Sequence, residues 1–226
     1  MQWFYDLKTR TKIISSFLIV CAITAIVGFI GISNMGKINS TVETMYNDHL
    51  MGISENKDAN INLIYYDRAL RNYVLSRTQE DREKYIQSMA AYKDSMMAQL
   101  ALVKASLVTE NGREIYTKIQ SSLNDYFVQA DQTIKITNRN GLSKITPEVW
   151  DAVLAARKAV QVPDELMDQM STAKEVLSQK AFEDSNKIYD DSRLFMILFI
   201  LGGVGIGIAI GMVLTNFFTW WCRHWY

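Results

Sequence analysis

The sequence predicts an all-α protein: a membrane-anchored, antiparallel, up-down-up-down four-helix bundle whose first and last helices are continuous with two transmembrane helices. The first observation behind this prediction is a pair of uncharged apolar runs, residues 13–32 and 194–218. Each run reaches the roughly 20 residues that a helix needs to cross about 30 Å of hydrocarbon. The second observation is that apolar residues between the runs recur at spacings of three and four, whereas the alternation typical of strands is absent.

The two apolar runs divide the chain into five segments. We predict a cytoplasmic N-terminus at residues 1–12, transmembrane helices at 13–33 and 193–218, an extracytoplasmic four-helix-bundle domain at 34–192, and a short cytoplasmic tail at 219–226. The orientation follows from Lys8, Arg10, Lys12 and Arg223, because Lys and Arg beside membrane segments mark the cytoplasmic side. The external domain carries 19 Lys and Arg against 23 Asp and Glu, and this mildly acidic balance gives no reason to expect nucleic acid.

The first apolar run resembles a cleaved signal peptide in its basic start, which leaves that interpretation as the alternative to an anchor. Its apolar stretch is longer than the about 7–15 residues of a signal peptide, and Gly31-Ile32-Ser33-Asn34 is not a typical cleavage site. We therefore expect an uncleaved anchor. The two cysteines, Cys21 and Cys222, lie outside the external domain, so we expect no disulfide and no thiolate metal site in that domain.

The first two bundle helices are predicted from seven-residue repeats. No break separates the segment from about Met35 to Arg77 from the first apolar run, so we expect one continuous helix there. The second segment begins near Thr78, with Glu80 and Asp81 in its first turn. The core positions are Ile38, Val42, Met45, His49, Gly52, Asn56, Ala59, Leu63, Tyr66, Leu70 and Tyr73 in the first segment, and Tyr85, Met89, Tyr92, Met96, Leu100, Val103 and Leu107 in the second.

The third and fourth segments complete the bundle. A turn is predicted at Thr109-Glu110-Asn111-Gly112, and Gly141 is expected to end the third helix. Thr146 and Pro147 are typical of a helix start, whereas Pro163 should end that helix or kink a longer one. The core positions are Ile115, Ile119, Ser122, Tyr126, Ala130 and Thr133, then Leu166, Met170, Ala173, Leu177, Ala181, Asp184 and Ile188. Short connections favour the up-down-up-down topology.

Three stretches of the chain resemble the sensory half of methyl-accepting chemotaxis proteins, in the version with a four-helix-bundle ligand-binding domain. They are the start, residues 3–12, which leads into the first apolar run; Gly31-Ile32-Ser33-Asn34-Met35, which leaves it; and residues 63–75. The resemblance extends through the second apolar run, and it implies a dimeric sensor of small molecules. In this family the second span leads into a HAMP linker and a methylated signalling hairpin.

The sequence after the second apolar run departs from that family pattern. It reads Thr219-Trp220-Trp221-Cys222 and ends at Tyr226, without the proline of a HAMP linker. Three explanations stay open: a truncated gene product, an expressed fragment, or a stand-alone receptor that pairs with a full-length relative. The expected partners are therefore a second copy or such a relative.

Arg68 and Arg71 are the candidate ligand-binding residues. Helical geometry places them in one stripe with Lys57, Ile64 and Leu75, beside the core positions and on a face that a partner helix could cover. The resemblance implies that arginines of this helix bind ligand carboxylates at a dimer interface, and a guanidinium matches a carboxylate well. Tyr65 and Tyr66 are candidates for additional contacts. The alternative, which the residues favour, is a solvated arginine face that pairs with acids such as Asp67.

Two other polar groups have simpler interpretations. Arg139 and Lys144, with Arg157 and Lys158, could bind an anion near the membrane-distal end, but a solvated surface is favoured. The Asp48-His49 pair makes a poor metal site because adjacent helical residues point in different directions. A core histidine satisfied by a neighbouring helix is the better interpretation, and neither a metal nor a cofactor is predicted.

Gly203, Gly207 and Gly211 are spaced every four residues in the second apolar run. This spacing allows close helix packing in lipid, although Gly is also common in membrane helices generally. No catalytic residues are predicted. The external domain has one His and no Cys, its carboxylates are spaced as helix-surface residues, and phosphate-loop and zinc-protease motifs are absent. We do not expect an enzyme.

The sequence and the resemblance together predict a chemoreceptor sensory region. It would detect small extracellular molecules, such as organic or amino acids, and signal through its membrane helices. The alternatives are the input region of a membrane histidine kinase or cyclase, and a structural bundle without a ligand. The expected location is the bacterial cytoplasmic membrane, with both termini inside and the bundle in the periplasm or outside the cell.

Overall fold

The computed structural model describes residues 9–142 and 144–224. The helices are α1 (Thr9–Thr44), a π-helical turn (Met45–Leu50), α2 (Met51–Leu75), α3 (Gln79–Ala105), α4 (Glu110–Asn140) and α5 (Pro147–His224). The described residues contain no strand. The all-α prediction is therefore confirmed. Most of residues 3–12, including Lys8, lie outside the described residues, as does Ser143.

The chain divides into two compact units. One contains the described residues up to Val42 together with those from Phe182 onward, and the other is Glu43–Ala181. The second unit is the four-helix bundle, formed by α2, α3, α4 and the first part of α5. The first bundle helix joins α1 through the π-helical turn, and α5 is unbroken, so the predicted continuity of the bundle helices with the apolar runs is confirmed.

Two helical segments, Arg10–Leu75 and Pro147–Val213, are long and apolar enough to cross a membrane. Almost none of their most apolar residues is buried, which distinguishes them from the core helices of a water-soluble protein. Large side chains such as Phe29 and Leu201 are exposed along them. Within this unit Asn34 Nδ2 donates a hydrogen bond to Ser192 Oγ at 2.7 Å. These features are consistent with a membrane-anchored protein.

The bundle core is built from the predicted stripes of all four helices. The buried apolar members are Ala59, Leu63, Tyr66, Leu70 and Tyr73 of α2, Met89, Met96, Leu100 and Val103 of α3, Ile115, Ile119, Tyr126 and Ala130 of α4, and Met170 of α5. Val42 and Asp184 are exceptions because both are exposed. Both lie outside the bundle unit Glu43–Ala181, and Val42 precedes the π-helical turn, whose i to i+5 bonding changes the phase of the side chains on either side.

The helix ends follow from local capping. The Thr78 side chain accepts a hydrogen bond from the backbone N–H of Asp81 at 3.1 Å, and Thr109 accepts one from Gly112, also at 3.1 Å. The prediction of a turn at residues 109–112 is therefore wrong, because Thr109 is an N-cap and the next three residues form the first turn of α4. Pro163 neither ends nor interrupts α5, since the helix continues through it.

Gly141 has a backbone conformation that other residues avoid, with φ 84° and ψ −173°. This region is almost restricted to glycine. We predict that Gly141→Ala and Gly141→Asn each lower the free energy of unfolding by about 1–3 kcal/mol. Asparagine should not rescue the change, because it tolerates the left-handed helical region rather than this one. Thermal unfolding of the full chain in detergent, followed by circular dichroism, measures the effect.

The neighbouring exposed residue Leu142 offers a matched control, and Leu142→Ala should leave the unfolding curve almost unchanged. Native-like stability of Gly141→Asn would contradict the observed backbone conformation.

Candidate functional site

Arg68 and Arg71 lie on the exposed face of α2, where the sequence places them. Lys57, Ile64 and Leu75 of the same stripe are exposed as well. The Arg68 guanidinium carbon lies 4.7 Å from the ring centroid of Tyr65, which orients this cation over an aromatic face. The stripe is therefore a continuous surface that carries two arginines among apolar side chains.

Arg71 is already paired with an acid. Its Nη2 atom lies 3.0 Å from Asp67 Oδ2, and the Asp67 side chain is mostly buried. The other oxygen of Asp67 accepts a hydrogen bond from the hydroxyl of Tyr126 in the core. Burial, with the adjacent Asp67 charge, raises the pKa of Tyr126, so the hydroxyl remains a donor. The pairing with Asp67, which the sequence favoured over ligand contact, is present and links Arg71 to the core.

The two candidate tyrosines lie on different faces of α2. Tyr65 is partly exposed and its ring centroid is 5.4 Å from that of Tyr92. Tyr66 is buried and packs edge-on against Tyr126 and Phe127. Burial raises the pKa of Tyr66 to about 12. The structure brings Tyr65 together with Arg68, but it places Tyr66 in the core rather than on their surface.

The second positive group is solvated. Arg139, Lys144, Arg157 and Lys158 are all exposed. Arg139 Nη1 lies 3.5 Å from Glu148 Oε1 in an exposed ion pair, a type of contact that contributes little to stability. This arrangement agrees with the expectation of a solvated surface rather than an anion site.

Gly203 is the only one of the three spaced glycines with a close neighbour among the described residues. A Cβ atom at Gly203 would lie 3.5 Å from Ile23 Cγ2, whereas Cβ atoms at Gly207 and Gly211 would meet nothing within 4 Å. Gly203 and Gly207 line a groove of about 370 Å³ between the two apolar helices. The glycine face therefore has room for further packing atoms along most of its length.

A buried lysine that the sequence did not single out joins three parts of the bundle. The ammonium group of Lys174, on α5, donates to the carbonyl of Asp48 in the π-helical turn at 2.7 Å. It also donates to the carbonyl and the hydroxyl oxygen of Ser106, the C-cap of α3, each at 2.9 Å. Burial lowers the pKa of Lys174. The positive charge lies where the C-terminal end of a helix favours a cation.

His49 lies beside this lysine, on the core side of the π-helical turn. It is buried, as expected, and its Nδ1 atom has no hydrogen-bond partner among the described residues. Burial lowers the pKa of His49, and the charge of Lys174 lowers it further, which favours a neutral imidazole. No group of three or more metal-binding side chains occurs in the described part of the chain.

The bundle and its two apolar helices define a class of protein: a helical module anchored by membrane-length helices. A family model described as a four helix bundle sensory module for signal transduction matches residues 6–189. The chain belongs to this family, and the resemblance to a sensory module is confirmed. Neither a curated protein nor a solved structure matches the chain.

Sequence reasoning missed Lys174 and a second buried cation, Arg82. A signal for both was present in the spacing. Arg82 lies three and seven residues before Tyr85 and Met89 of the α3 stripe, and Lys174 lies four residues after the core residue Met170. Charged residues in core register are candidates for buried polar contacts.

The Lys174 contacts make Gly52 a required residue. A Cβ atom at Gly52 would lie 2.5 Å from Lys174 Nζ and 2.5 Å from Ser106 Oγ. We predict that Gly52→Ala lowers the free energy of unfolding by about 1–3 kcal/mol, because the ammonium must leave buried carbonyl groups without a donor. Lys174→Met should have a loss of similar size. Chemical unfolding of the full chain in detergent measures both.

Because both changes disrupt one interaction, the double variant should lose less than the sum of the single losses. Lys180→Met, at an exposed position of the same helix, is the matched control and should be nearly neutral. Additive losses for Gly52 and Lys174 would show that the two positions do not share this contact.

Proposed function

We propose that this chain is the sensory region of a chemoreceptor that detects small molecules outside the cytoplasm and signals through its membrane helices in chemotaxis-type signal transduction. The main support for this proposal is that the helices are continuous. Helix α1 passes into α2 through one π-helical turn, and α5 runs from Pro147 to His224 without a break. An unbroken helix is suited to carry a displacement along its length. Membership of the sensory-module family supports the same proposal.

The proposed receptor lies in the bacterial cytoplasmic membrane, with two spans and both termini in the cytoplasm. Support comes from the basic residues beside the spans, Arg10 and Lys12 before the first and Arg223 after the second. It acts by binding rather than by catalysis. This assignment rests on the absence of a nucleophile, base or phosphate-loop pattern in the sequence of the bundle.

We propose further that the receptor works as a parallel homodimer, or as a heterodimer with a full-length relative, through the exposed face of α2. Exposed residues on this face follow heptad spacing: Leu50, Lys57, Ile61, Ile64, Arg68, Arg71 and Leu75. Four of the seven are large and apolar, which favours burial against a partner helix. A dimer with this seam would place Arg68 and Arg71 at the interface, where they are proposed to contact a small carboxylate.

The membrane orientation predicts opposite locations for two reporters. A reporter fused after Tyr226 should be active only in the cytoplasm, and one inserted between Gly141 and Leu142, in the α4–α5 connection, should be active only outside it. Paired alkaline phosphatase and green fluorescent protein fusions measure the two locations. Reporters on the same side would contradict a model with two spans.

The dimer predicts a periodic cross-linking pattern along α2. In a background with Cys21→Ser and Cys222→Ser, single cysteines at Lys57, Ile61 and Ile64 should form disulfide-linked dimers in membranes. Cysteines at Ala59 and Leu63 are the matched controls and should not, because these positions are fully buried within one bundle. A flat profile along the helix would favour a monomeric bundle.

A further inference from the structure

A cavity of about 300 Å³ lies between α2, α3 and α4, at the end of the bundle where α4 terminates. The residues that line it include Tyr73 of α2, Arg82, Glu83 and Ile86 of α3, and Ile134 and Asn138 of α4. Its volume is at the lower end of the roughly 300–1,000 Å³ of ligand pockets, which suits a small molecule. The surface stripe of Arg68 and Arg71 contributes none of these residues.

Arg82 is the buried cation of this cavity, with 4% of its surface exposed. Its Nη1 atom donates to Asn138 Oδ1 at 3.2 Å, and its Nη2 atom donates to the carbonyl of Gly141 at 2.8 Å. The guanidinium carbon lies 5.3 Å from the ring centroid of Tyr73. Its Nε atom is buried and has no hydrogen-bond partner among the described residues. The Nε–H donor of this fixed group is therefore unused.

Arg82 also has no ion-pair partner among the described residues. Buried charges in proteins are normally paired, because an unpaired charge is costly away from water. Neutral oxygens and an aromatic ring face satisfy Arg82 in part, and a carboxylate in the cavity would supply the negative charge that these groups lack.

The other residues that line the cavity restrict which kind of carboxylate ligand it can hold. Glu83 lines the same cavity, so a second negative charge on a ligand would be repelled. Ile86 and Ile134 form apolar walls that favour a short hydrocarbon body. The cavity therefore favours a ligand with one negative charge and an apolar body.

We propose that this cavity binds a small aliphatic monocarboxylate, with the carboxylate on Arg82 and the hydrocarbon body against Ile86 and Ile134. The site lies within a single bundle and needs no second copy of the chain. It deepens the proposed sensory function and rests on it, because it supplies a ligand site distinct from the arginine seam of α2. Arg82 also caps the C-terminal end of α4, and a purely structural role is the competing explanation.

The test uses the full chain in detergent with isovalerate as the probe and its neutral amide, isovaleramide, as the matched control ligand. Isovalerate should raise the Tm saturably, because a ligand that binds the folded state stabilises it, and isovaleramide should not. Arg82→Met should weaken isovalerate affinity, measured by calorimetry, about ten- to hundredfold, the range expected for a lost hydrogen bond to a charged group. Glu83→Gln should strengthen it, because a repulsive charge is removed.

A second variant keeps the test decisive if Arg82→Met folds poorly. Ile86→Trp fills the cavity while leaving both hydrogen bonds of Arg82 intact, and it should abolish the response. Met97→Trp is its control, since Met97 is similarly exposed and lies three turns further along the same face of α3. A response that Ile86→Trp retains would overturn the proposal.

Two further outcomes separate this inference from the proposed function. Loss of the isovalerate response in Arg68→Ala and Arg71→Ala, with retention in Arg82→Met, would move the ligand to the α2 seam, overturning the cavity site but not the receptor. No saturable response of the unmodified chain would also overturn the cavity site. The reporter and cross-linking experiments test the receptor independently of either result.

Discussion

The contacts of the buried Lys174 ammonium group hold together the end of the bundle that contains the π-helical turn and the C-terminus of α3. The ammonium is held by backbone or hydroxyl oxygens of Asp48 and Ser106, so a single side chain joins the π-helical turn, the end of α3 and α5. A charged group buried away from water is costly unless its donors are hydrogen-bonded. That requirement explains why Gly52 is present, since any side chain there would occupy the space of the ammonium.

Polar contacts continue from Lys174 along the interface of α2 and α5. Asn56, which is fully buried, donates to the carbonyl of Met167 and to Ser171 Oγ, and Asn60 donates to Asp164 Oδ1 at 2.8 Å. Buried polar contacts of this kind add little net stability but require one register. Sliding α2 by one turn along α5 would break every one of them. The two bundle helices that continue into apolar segments are therefore fixed to each other by direction-dependent contacts rather than by apolar packing alone.

The sequence could predict which residues face the core but not which polar atoms meet there. Periodicity identified the buried positions of α2 from Ala59 to Tyr73, and capping residues such as Thr78 located helix starts, because both depend on local spacing. The acceptors of Lys174 and the cavity at Arg82 depend on atoms from several helices at once. A pattern along one helix contains no information on such distances. Thr109 shows the same limit locally, since a turn and an N-cap share the same residues.

Arg71 and Arg82 differ in the groups that surround each guanidinium, which the sequence alone does not show. The sequence made Arg71 a candidate ligand contact because it lies on an accessible helical face, but Asp67 already provides its counter-charge at 3.0 Å. A ligand carboxylate at Arg71 must compete with that acid. Arg82 instead donates hydrogen bonds to neutral oxygens, and its Nε–H has no partner among the described residues. The energy of a new ion pair depends on which partner the cation must release to form it. Arg82 has no acid to release, so it is the better anion site, although Arg71 is the more exposed of the two.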